Sequence, residues 1–242
     1  MPESLVSIRV TEIGEFISHQ SCERRFKLNM DDMALARSLP FFDRLFNPLD
    51  LVLQQSGRQK EKEWEEELKQ AGVVNLTPSK SPTNKSSSSE CRKDATEWAD
   101  FVSHLRNLDS KQPAYAYNVC VSADVGAFHV KGEMDFLMVL WDQNGAARLR
   151  IVECKASRRD RTYHRIQVAL YHMILCELLK ENPVAICGKI LKSADVDRVV
   201  VRIDESTNNI QSILGLQPLN GADVDQLEED ITHLLATEGR LK

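Results

Sequence analysis

The chain has 242 residues, of which 42% are hydrophobic and 28% charged, and its formal net charge is −5. This composition is typical of a globular protein rather than a disordered one, and the length allows a full core, most simply one domain over residues 1–242. No apolar stretch has the length of a membrane span and the N-terminus lacks a basic, apolar leader, so we expect a cytoplasmic protein, nuclear or organellar in a eukaryote, with no membrane partner.

Six cysteines lie at positions 22, 91, 120, 154, 176 and 187, and no two of them form a C-x-x-C pair. This spacing argues against a disulfide framework and against a zinc site. The simplest interpretation of Cys22 is a small buried residue.

The N-terminal half of the chain predicts mainly helices. Apolar side chains recur at partly helical spacing over residues 11–29, and residues 51–70 form a strongly helix-forming run that Gly72 ends. Residues 76–93 are rich in serine and predict a flexible insertion. Residues 95–108 then place their apolar side chains on one face, as a helix packed on a core does.

Three strand-like runs follow, at 115–123, 128–140 and 148–157, and they predict a meander. Asn144 and Gly145 fit a turn that folds the last two runs into an antiparallel hairpin. Gly132, near the middle of its run, predicts a bend or the close approach of a substrate, with a bulge as the alternative.

Polar side chains in these apolar strands predict a site. Glu153 and Lys155 are two residues apart and therefore share one face of their strand, and the hairpin brings Asp135 towards them. Carboxylates placed close together repel each other unless a cation neutralises them, and oxygen ligands favour Mg²⁺ or Mn²⁺. A lysine beside such a metal can hold or activate a water, which is the equipment for metal-assisted attack on a phosphodiester.

The C-terminal part predicts two helices separated by strands. Residues 162–180 form a helical pattern in which Gln167 and Tyr171 are four apart, with His164 one turn earlier. Strand-like runs at 184–191 and 197–204 precede an amphipathic pattern over residues 221–242. The order helix, three strands, helix, two strands predicts an α/β fold with a central mixed sheet.

A basic segment surrounds the predicted acidic site. Between positions 148 and 165 there are seven Lys or Arg residues against two acids. Such a stripe suits a phosphate backbone, although a solvated strand end and loop would give the same pattern. The candidate DNA-binding residues are Arg148, Arg150, Arg158, Arg159, Arg161, His164 and Arg165.

The ordered set Asp135, then Glu153-Cys154-Lys155, then Gln167-x-x-x-Tyr171 resembles the PD-(D/E)XK nuclease superfamily, and its last element is similar to the RecB-like branch. The resemblance covers roughly residues 11–203. It includes 57–61, which resemble the first RecB-like motif, where a glycine lets the helix approach the sheet and a Glu reaches the metal. Glu61 is the matching residue here, although Lys60 stands where many relatives have His. Glu65, one turn on, and a solvated helix face for Glu61 are the alternatives.

The resemblance implies a restriction-endonuclease-like core with additional N-terminal helices and a set of catalytic roles. Glu61, Asp135, Glu153 and the carbonyl of Cys154 are implied to hold Mg²⁺ or Mn²⁺. Lys155 is implied to position or deprotonate the attacking water. Gln167 and Tyr171 are implied to orient the catalytic groups or the DNA.

The implied activity is that of a divalent-metal-dependent DNA nuclease, an exonuclease for example. It would act on single strands or free ends in DNA repair, recombination or defence, alone or beside a helicase or another protein of these processes. The alternative is a catalytically inactive module that keeps the fold and binds DNA or serves as a scaffold. Some relatives bind an iron-sulfur cluster through a cysteine placed like Cys22 and three more near the C-terminus. No cysteine follows Cys187 in this sequence, so no such cluster is expected.

Overall fold

The computed structural model describes residues 5–18, 21–30, 33–40, 42, 51–78, 95–108, 111–155, 162–202, 213–239 and 241. The described strands are β1 (Val6–Arg9), β2 (Val74–Asn75), β3 (Thr96–Glu97), β4 (Ala114–Val125), β5 (Phe128–Trp141), β6 (Ala147–Lys155), β7 (Ala185–Ile186), β8 (Lys189–Ile190) and β9 (Val196–Arg202). The described helices are α1 (Val10–Ser18), α2 (Glu23–Met30), α3 (Met33–Ser38), α4 (Leu51–Gln70), α5 (Trp98–Arg106), α6 (Thr162–Glu181) and α7 (Gly221–Leu235), with a 3₁₀ turn at Ser193–Asp195.

A mixed sheet forms the centre of the molecule, with the strand order β2-β4-β5-β6-β9. The predicted meander is confirmed, because β4, β5 and β6 pair antiparallel along the chain. Strand β9 returns parallel to β6 after α6, so this crossover makes the sheet mixed. Strand β1 pairs parallel with β5, and β2 and β3 pair with β4. The α/β fold predicted from the sequence is therefore the observed one.

Each face of the sheet packs against a different set of helices. On one face, buried residues of α1, α5, α6 and α7 pack with the sheet in a large apolar cluster. On the other face a smaller cluster joins Trp64 and Leu68 of α4 to the strands. Strand β6 shows the division clearly, since Leu149 and Ile151 belong to the first cluster and Val152 and Cys154 to the second. The sheet thus separates α4 from α6.

The alternation of side chains reverses at one point of the β4–β5 ladder. Ala116 and Val119 lie in the same apolar cluster although strict alternation would put them on opposite faces, and Met134 and Leu137 of β5 behave alike. The register pairs residue 117 with 136 and 119 with 134, which leaves Asn118 opposite Asp135 without a pairing of its own. Asn118 has a φ of 50°, in the left-handed region. The sheet therefore changes face at the residue that the sequence predicts to be catalytic.

Some predicted elements differ from the observed ones. The run at 184–191 contains a short hairpin outside the main sheet, formed by the two-residue strands β7 and β8. Most of the Ser-rich insertion at about 76–93 lies outside the described residues, but Leu76 is buried and its N–H donates to the Tyr115 carbonyl. Cys120 is disulfide-bonded, against the expectation, and Cys22 is exposed rather than buried.

Within the described ranges, no helix combines the length and the apolar character that crossing a membrane requires.

The left-handed conformation of Asn118 gives a test of the face reversal. We expect Asn118→Val to lower the free energy of unfolding by about 1–2 kcal/mol, because a β-branched residue is strained at positive φ. Asn118→Gly, which removes that strain, should leave stability within about 0.5 kcal/mol of the parent. Urea denaturation of the three proteins measures both differences. Equal stability of the Val and Gly variants would contradict the assigned backbone conformation.

Candidate active site

The buried carboxylate of Glu153 lies at the C-terminal end of β6. Its side chain is only 4% exposed, and it forms an ion pair with the Nζ of Lys155. The two residues share one face of the strand because side chains alternate, as the sequence predicts. This is the face that packs against α6, since the intervening Cys154 and its neighbour Val152 belong to the cluster on the side of α4.

Asp135 joins this end of β6 through the backbone. Its Oδ2 accepts a hydrogen bond of 2.7 Å from the N–H of Cys154. The pairing of β5 with β6 ends at Phe136 and Val152, two residues before Cys154. A strand N–H beyond the end of the ladder needs an acceptor, and the side chain of Asp135 supplies it. The strands therefore separate where the two carboxylates meet.

The charges of these residues interact strongly. Burial, followed by repulsion from Asp135, raises the pKa of Glu153 to about 7 even though Lys155 acts in the opposite direction. Burial opposes the charge on Lys155, but the attraction of Glu153 and Asp135 outweighs it, and the pKa of Lys155 lies above its usual value. Two acids and one ammonium thus share a poorly solvated site in which the positive charge does not balance the negative charge.

One oxygen of this set lacks a hydrogen-bond donor. Oε1 of Glu153 contacts Lys155, whereas Oε2 is buried with no hydrogen-bond partner. An unsatisfied buried carboxylate oxygen beside a second carboxylate fits a hard divalent cation, whose preferred ligands are oxygens. The described residues nevertheless contain no group of three His, Cys, Asp or Glu side chains already arranged around one cation position.

Of the two glutamates proposed from α4, Glu61 is the one that acts on the site. Its charge contributes to raising the pKa of both Glu153 and Cys154, after the larger effects of burial and Asp135. Glu61 precedes Trp64 by three residues and so lies on the side of α4 that packs on the sheet. Glu65 instead pairs with Lys69 at 2.8 Å and accepts a hydrogen bond from the Tyr115 hydroxyl at 3.4 Å. Glu61 as the third carboxylate therefore stays a prediction, with these contacts of Glu65 as the difference between the two residues.

Helix α6 brings Gln167 and Tyr171 to the same region, and both are buried. The hydroxyl of Tyr171 donates to the Glu133 carbonyl at 2.7 Å, two residues before Asp135. Burial, with Glu153 and Asp135 as the next causes, raises the pKa of Tyr171 well above its usual value. The side-chain oxygen of Gln167 is buried with no hydrogen-bond partner. Tyr171 therefore lies beside the acids and anchors β5, and Gln167 precedes it by one turn of α6.

Gly132 allows this anchoring. A Cβ at position 132 would lie 2.6 Å from Cε1 of Tyr171 and 2.9 Å from Cγ2 of Val10. The glycine is thus required by the tyrosine ring and by α1, and not by a substrate or a bulge. Gly57 differs, because a Cβ there would meet nothing within 4 Å among the described residues. Within that part of the chain, no contact of α4 with the sheet requires a glycine at position 57.

Three of the predicted DNA-binding residues do not suit that role. Arg148 and Arg150 lie on the face of β6 opposite to Glu153, and both approach Asp197, at 2.5 and 3.6 Å. His164 is completely buried, with its ring 4.1 Å from that of Tyr163. Arg148 and Arg150 thus form structural ion pairs, and His164 is part of the protein interior. Arg165 is half-buried, and positions 158, 159 and 161 lie outside the described residues.

Sequence reasoning missed the residues that shape the site from outside the motif. Asn118 sits across from Asp135, and its left-handed backbone belongs to the bend in the ladder. Two residues of α1 also contribute. The side chain of Val10 lies against Gly132, and a Cβ added at Gly14 would contact the side chain of Gln167. The signal available in the sequence was an asparagine inside a run of strand-forming residues, since Asn tolerates positive φ better than most residues.

Comparisons with known proteins identify a family for the chain. The family model of the PD-(D/E)XK nuclease superfamily matches residues 17–240. No curated protein matches the chain. One solved structure, titled "Crystal structure of SSO0001", is similar at 16% identity, with 99% of this chain and 81% of that chain covered, at a TM-score of 0.41. That score is too low to support an argument.

The two glycines give a matched pair of substitutions. We expect Gly132→Ala to lower the free energy of unfolding by about 2 kcal/mol or more, because the methyl group overlaps Tyr171 and Val10. Gly57→Ala should instead raise it by about 0.5–1 kcal/mol, since alanine stabilises a helix interior and nothing obstructs the methyl group.

Urea denaturation with linear extrapolation measures both changes. Effects of the same sign in the two variants would contradict the different packing assigned to these positions.

Proposed function

The chain belongs to the PD-(D/E)XK nuclease superfamily, and from this membership and the site we propose that it is a divalent-metal-dependent deoxyribonuclease that hydrolyses phosphodiester bonds. One observation carries the proposal. The carboxylate of Glu153 is buried beside Asp135 and Lys155, with one oxygen that no hydrogen-bond donor satisfies. A folded protein tolerates such a carboxylate poorly without a further function for it.

The acidic residues provide the ligands in this proposal. Glu153 and Asp135 would hold Mg²⁺ or Mn²⁺, with Glu61 and the carbonyl of Cys154 completing the set. A divalent cation bound there supplies Lewis-acid stabilisation of the charge that develops on the phosphoryl oxygens. The effect of Glu61 on the pKa of Glu153 supports its inclusion.

The other polar residues position the reacting groups. The ammonium of Lys155 is held by Glu153, so it is placed to donate a hydrogen bond to the attacking water or to the phosphate. Tyr171 fixes the backbone next to Asp135 through the Glu133 carbonyl. The amide of Gln167, with its unsatisfied oxygen, is available to orient water or substrate. These roles extend the resemblance to the RecB-like branch, which we retain as part of the proposal.

The DNA backbone is expected to bind near the C-terminal end of β6. Arg165 on α6 and the arginines at 158, 159 and 161 follow this strand end in the sequence, whereas Arg148 and Arg150 pair with Asp197. Contacts to phosphates predict weak sequence preference and strong salt dependence. A place in repair, recombination or defence, the use of free ends, and work beside a helicase are supported by the resemblance alone.

A second candidate is a non-catalytic DNA-binding or scaffold module. One observation favours it, namely that no three His, Cys, Asp or Glu side chains among the described residues are arranged to hold a cation. Lys60, in place of the histidine common in relatives, points the same way, and its amine pairs with Glu63 at 2.7 Å. Such a module would bind DNA with the same affinity in EDTA as in Mg²⁺ and would leave it intact.

The nuclease assay uses end-labelled single-stranded, duplex and flap DNA with Mg²⁺ or Mn²⁺. We expect Asp135→Asn, Glu61→Gln and Lys155→Met each to reduce the cleavage rate by about a hundredfold or more, because each removes a charge at the reacting centre. Glu65→Gln is the matched control one turn away on the same helix. It should keep the parent rate within about threefold, since Glu65 pairs with Lys69.

A second readout separates binding of the cation from catalysis. Mn²⁺ should raise the melting temperature of the parent and of Glu65→Gln, but not that of Asp135→Asn, because a ligand of the folded state stabilises it. Cleavage by a correctly folded Asp135→Asn protein would refute the assigned roles. DNA binding without cleavage and without a thermal response to Mn²⁺ would identify the non-catalytic module.

A further inference from the structure

A cavity of about 400 Å³ lies at the beginning of β9. Its charged lining residues are Arg148, His172, Asp197, Arg198 and Asp225. Val196, which also lines it, pairs with Leu149 near the beginning of β6, whereas Glu153 lies towards the other end of that strand. None of the lining residues belongs to the acidic site, and the proposed nuclease reaction makes no use of the cavity.

The guanidinium of Arg198 has one edge that no acceptor among the described residues occupies. Its hydrogen bonds to Glu228, at 2.7 Å, and to Asp225, at 3.3 Å, both use Nη1, and the same atom lies 3.5 Å from Nδ1 of His172. Nε and Nη2 form the edge that binds an oxyanion through two parallel hydrogen bonds. The side chain is only 13% exposed, so bulk water replaces such an acceptor incompletely. This edge therefore indicates a ligand that supplies oxygens.

Arg148 shows the same edge with an acceptor in place. Its Nε and Nη2 lie 3.4 and 2.5 Å from the two carboxylate oxygens of Asp197, and Nη2 also donates to the Ala194 carbonyl at 3.2 Å. Its Nη1 contacts no hydrogen-bond acceptor in the described part of the chain. The cavity thus has a second guanidinium with a donor available to a ligand.

His172 adds a third positive charge to the lining. Its Nδ1 lies 2.7 Å from the Glu228 carboxylate and its Nε2 lies 3.3 Å from the Ser193 carbonyl oxygen. Both partners are acceptors, so both ring nitrogens carry protons and the ring is a cation. Glu228 uses a single oxygen, Oε1, for this contact and for Arg198.

The charged side chains that line the cavity, together with those that they contact, carry an excess of one positive charge. The cations are Arg148, Arg150, His172 and Arg198, and the carboxylates are Asp197, Asp225 and Glu228. Asp225 is the most exposed of these carboxylates, with 69% of its side chain accessible, so solvent screens its charge best. An anion that enters the cavity therefore meets a net positive field.

We propose that this cavity binds a small molecule that carries a phosphate monoester, with the open edge of Arg198 holding two phosphate oxygens and Nη1 of Arg148 a third. A terminal phosphate presents three oxygens, which suits two guanidinium groups better than the two oxygens of a carboxylate do. Val196, Pro218 and Leu219 also line the cavity and supply apolar surface for the rest of the molecule. The volume exceeds the need of a bare ion and falls in the range of small-molecule pockets, roughly 300–1,000 Å³.

Isothermal titration calorimetry on the full chain tests the ligand class, with adenosine 5′-monophosphate, inorganic phosphate and acetate as probes at constant ionic strength. We expect the nucleotide to bind at least about tenfold tighter than acetate, with inorganic phosphate between them, because the nucleotide adds apolar contacts to the same charged group. No heat of binding from the nucleotide or from phosphate up to about 10 mM would overturn the proposal. Acetate binding as tightly as phosphate would overturn the phosphate assignment.

Arg198→Lys tests the assigned edge. Lysine keeps a positive charge beside Glu228 but has no planar edge, so nucleotide binding should weaken about tenfold. Arg106→Lys, at an exposed position at the end of α5, is the matched control and should bind as the parent does. Circular dichroism and the melting temperature without ligand establish that both variants are folded. In the NMR spectrum of the parent, the Nε–H signal that is missing from Arg198→Lys should move as the nucleotide is added.

Two further results would contradict the proposal. The first is unchanged nucleotide affinity in a folded Arg198→Lys protein. The second is a parallel loss of DNA affinity in this variant, which would assign the cavity to the nucleic acid instead of a small molecule. The calorimetry contains neither DNA nor metal, so its outcome is independent of the nuclease assignment.

Discussion

The structure depends on the burial of a carboxylate that is only partly neutralised. Glu153 is almost completely removed from water at the end of β6, next to the second carboxylate of Asp135. Lys155 neutralises one of its oxygens, and burial and repulsion still raise the pKa of Glu153 to about 7. A sequence selected for stability alone would place an apolar residue at this position, because replacing buried ion pairs by apolar groups is often neutral or stabilising. The retained charge is the strongest sign that this strand end has a chemical function.

Hydrogen bonds to the backbone help to hold these charged side chains in place. Asp135 binds the N–H of Cys154 where β5 leaves β6, and Tyr171 binds the Glu133 carbonyl two residues earlier. Gly132 lets that tyrosine and α1 reach the strand. The first contact holds the Asp135 carboxylate itself, and the second fixes the backbone next to it. Neither contact uses a cation. Rigid support of this kind is what a catalytic group requires.

The sequence predicted the fold class and the convergence of Asp135, Glu153 and Lys155, because alternation along β6 and a tight turn after β5 are local rules. It failed where two rules conflicted or where contacts are long-range. The change of face at Asn118 violates the alternation that the prediction assumed, and His164 is buried although histidines on a basic segment are usually solvated. Gly57 matches a family motif, yet a Cβ at this position would meet no described residue within 4 Å, since a motif position does not determine the approach of two elements. Those outcomes depend on neighbours far away in the chain.

The two ends of β6 show why the basic stripe was misinterpreted. A count of charges along a sequence ignores the two faces of a strand. Arg148 and Arg150 point away from Glu153 because each precedes it by an odd number of residues, and side chains alternate between the faces. At their end of the strand Asp197 of the neighbouring β9 supplies the opposite charge, and the Arg150 guanidinium also donates to the Leu216 carbonyl. These arginines therefore stabilise the β6–β9 pair, whereas at the other end burial and the neighbouring Asp135 raise the pKa of Glu153. The same strand thus has one end at which charged side chains serve structure and another end at which a buried carboxylate lies beside a second one.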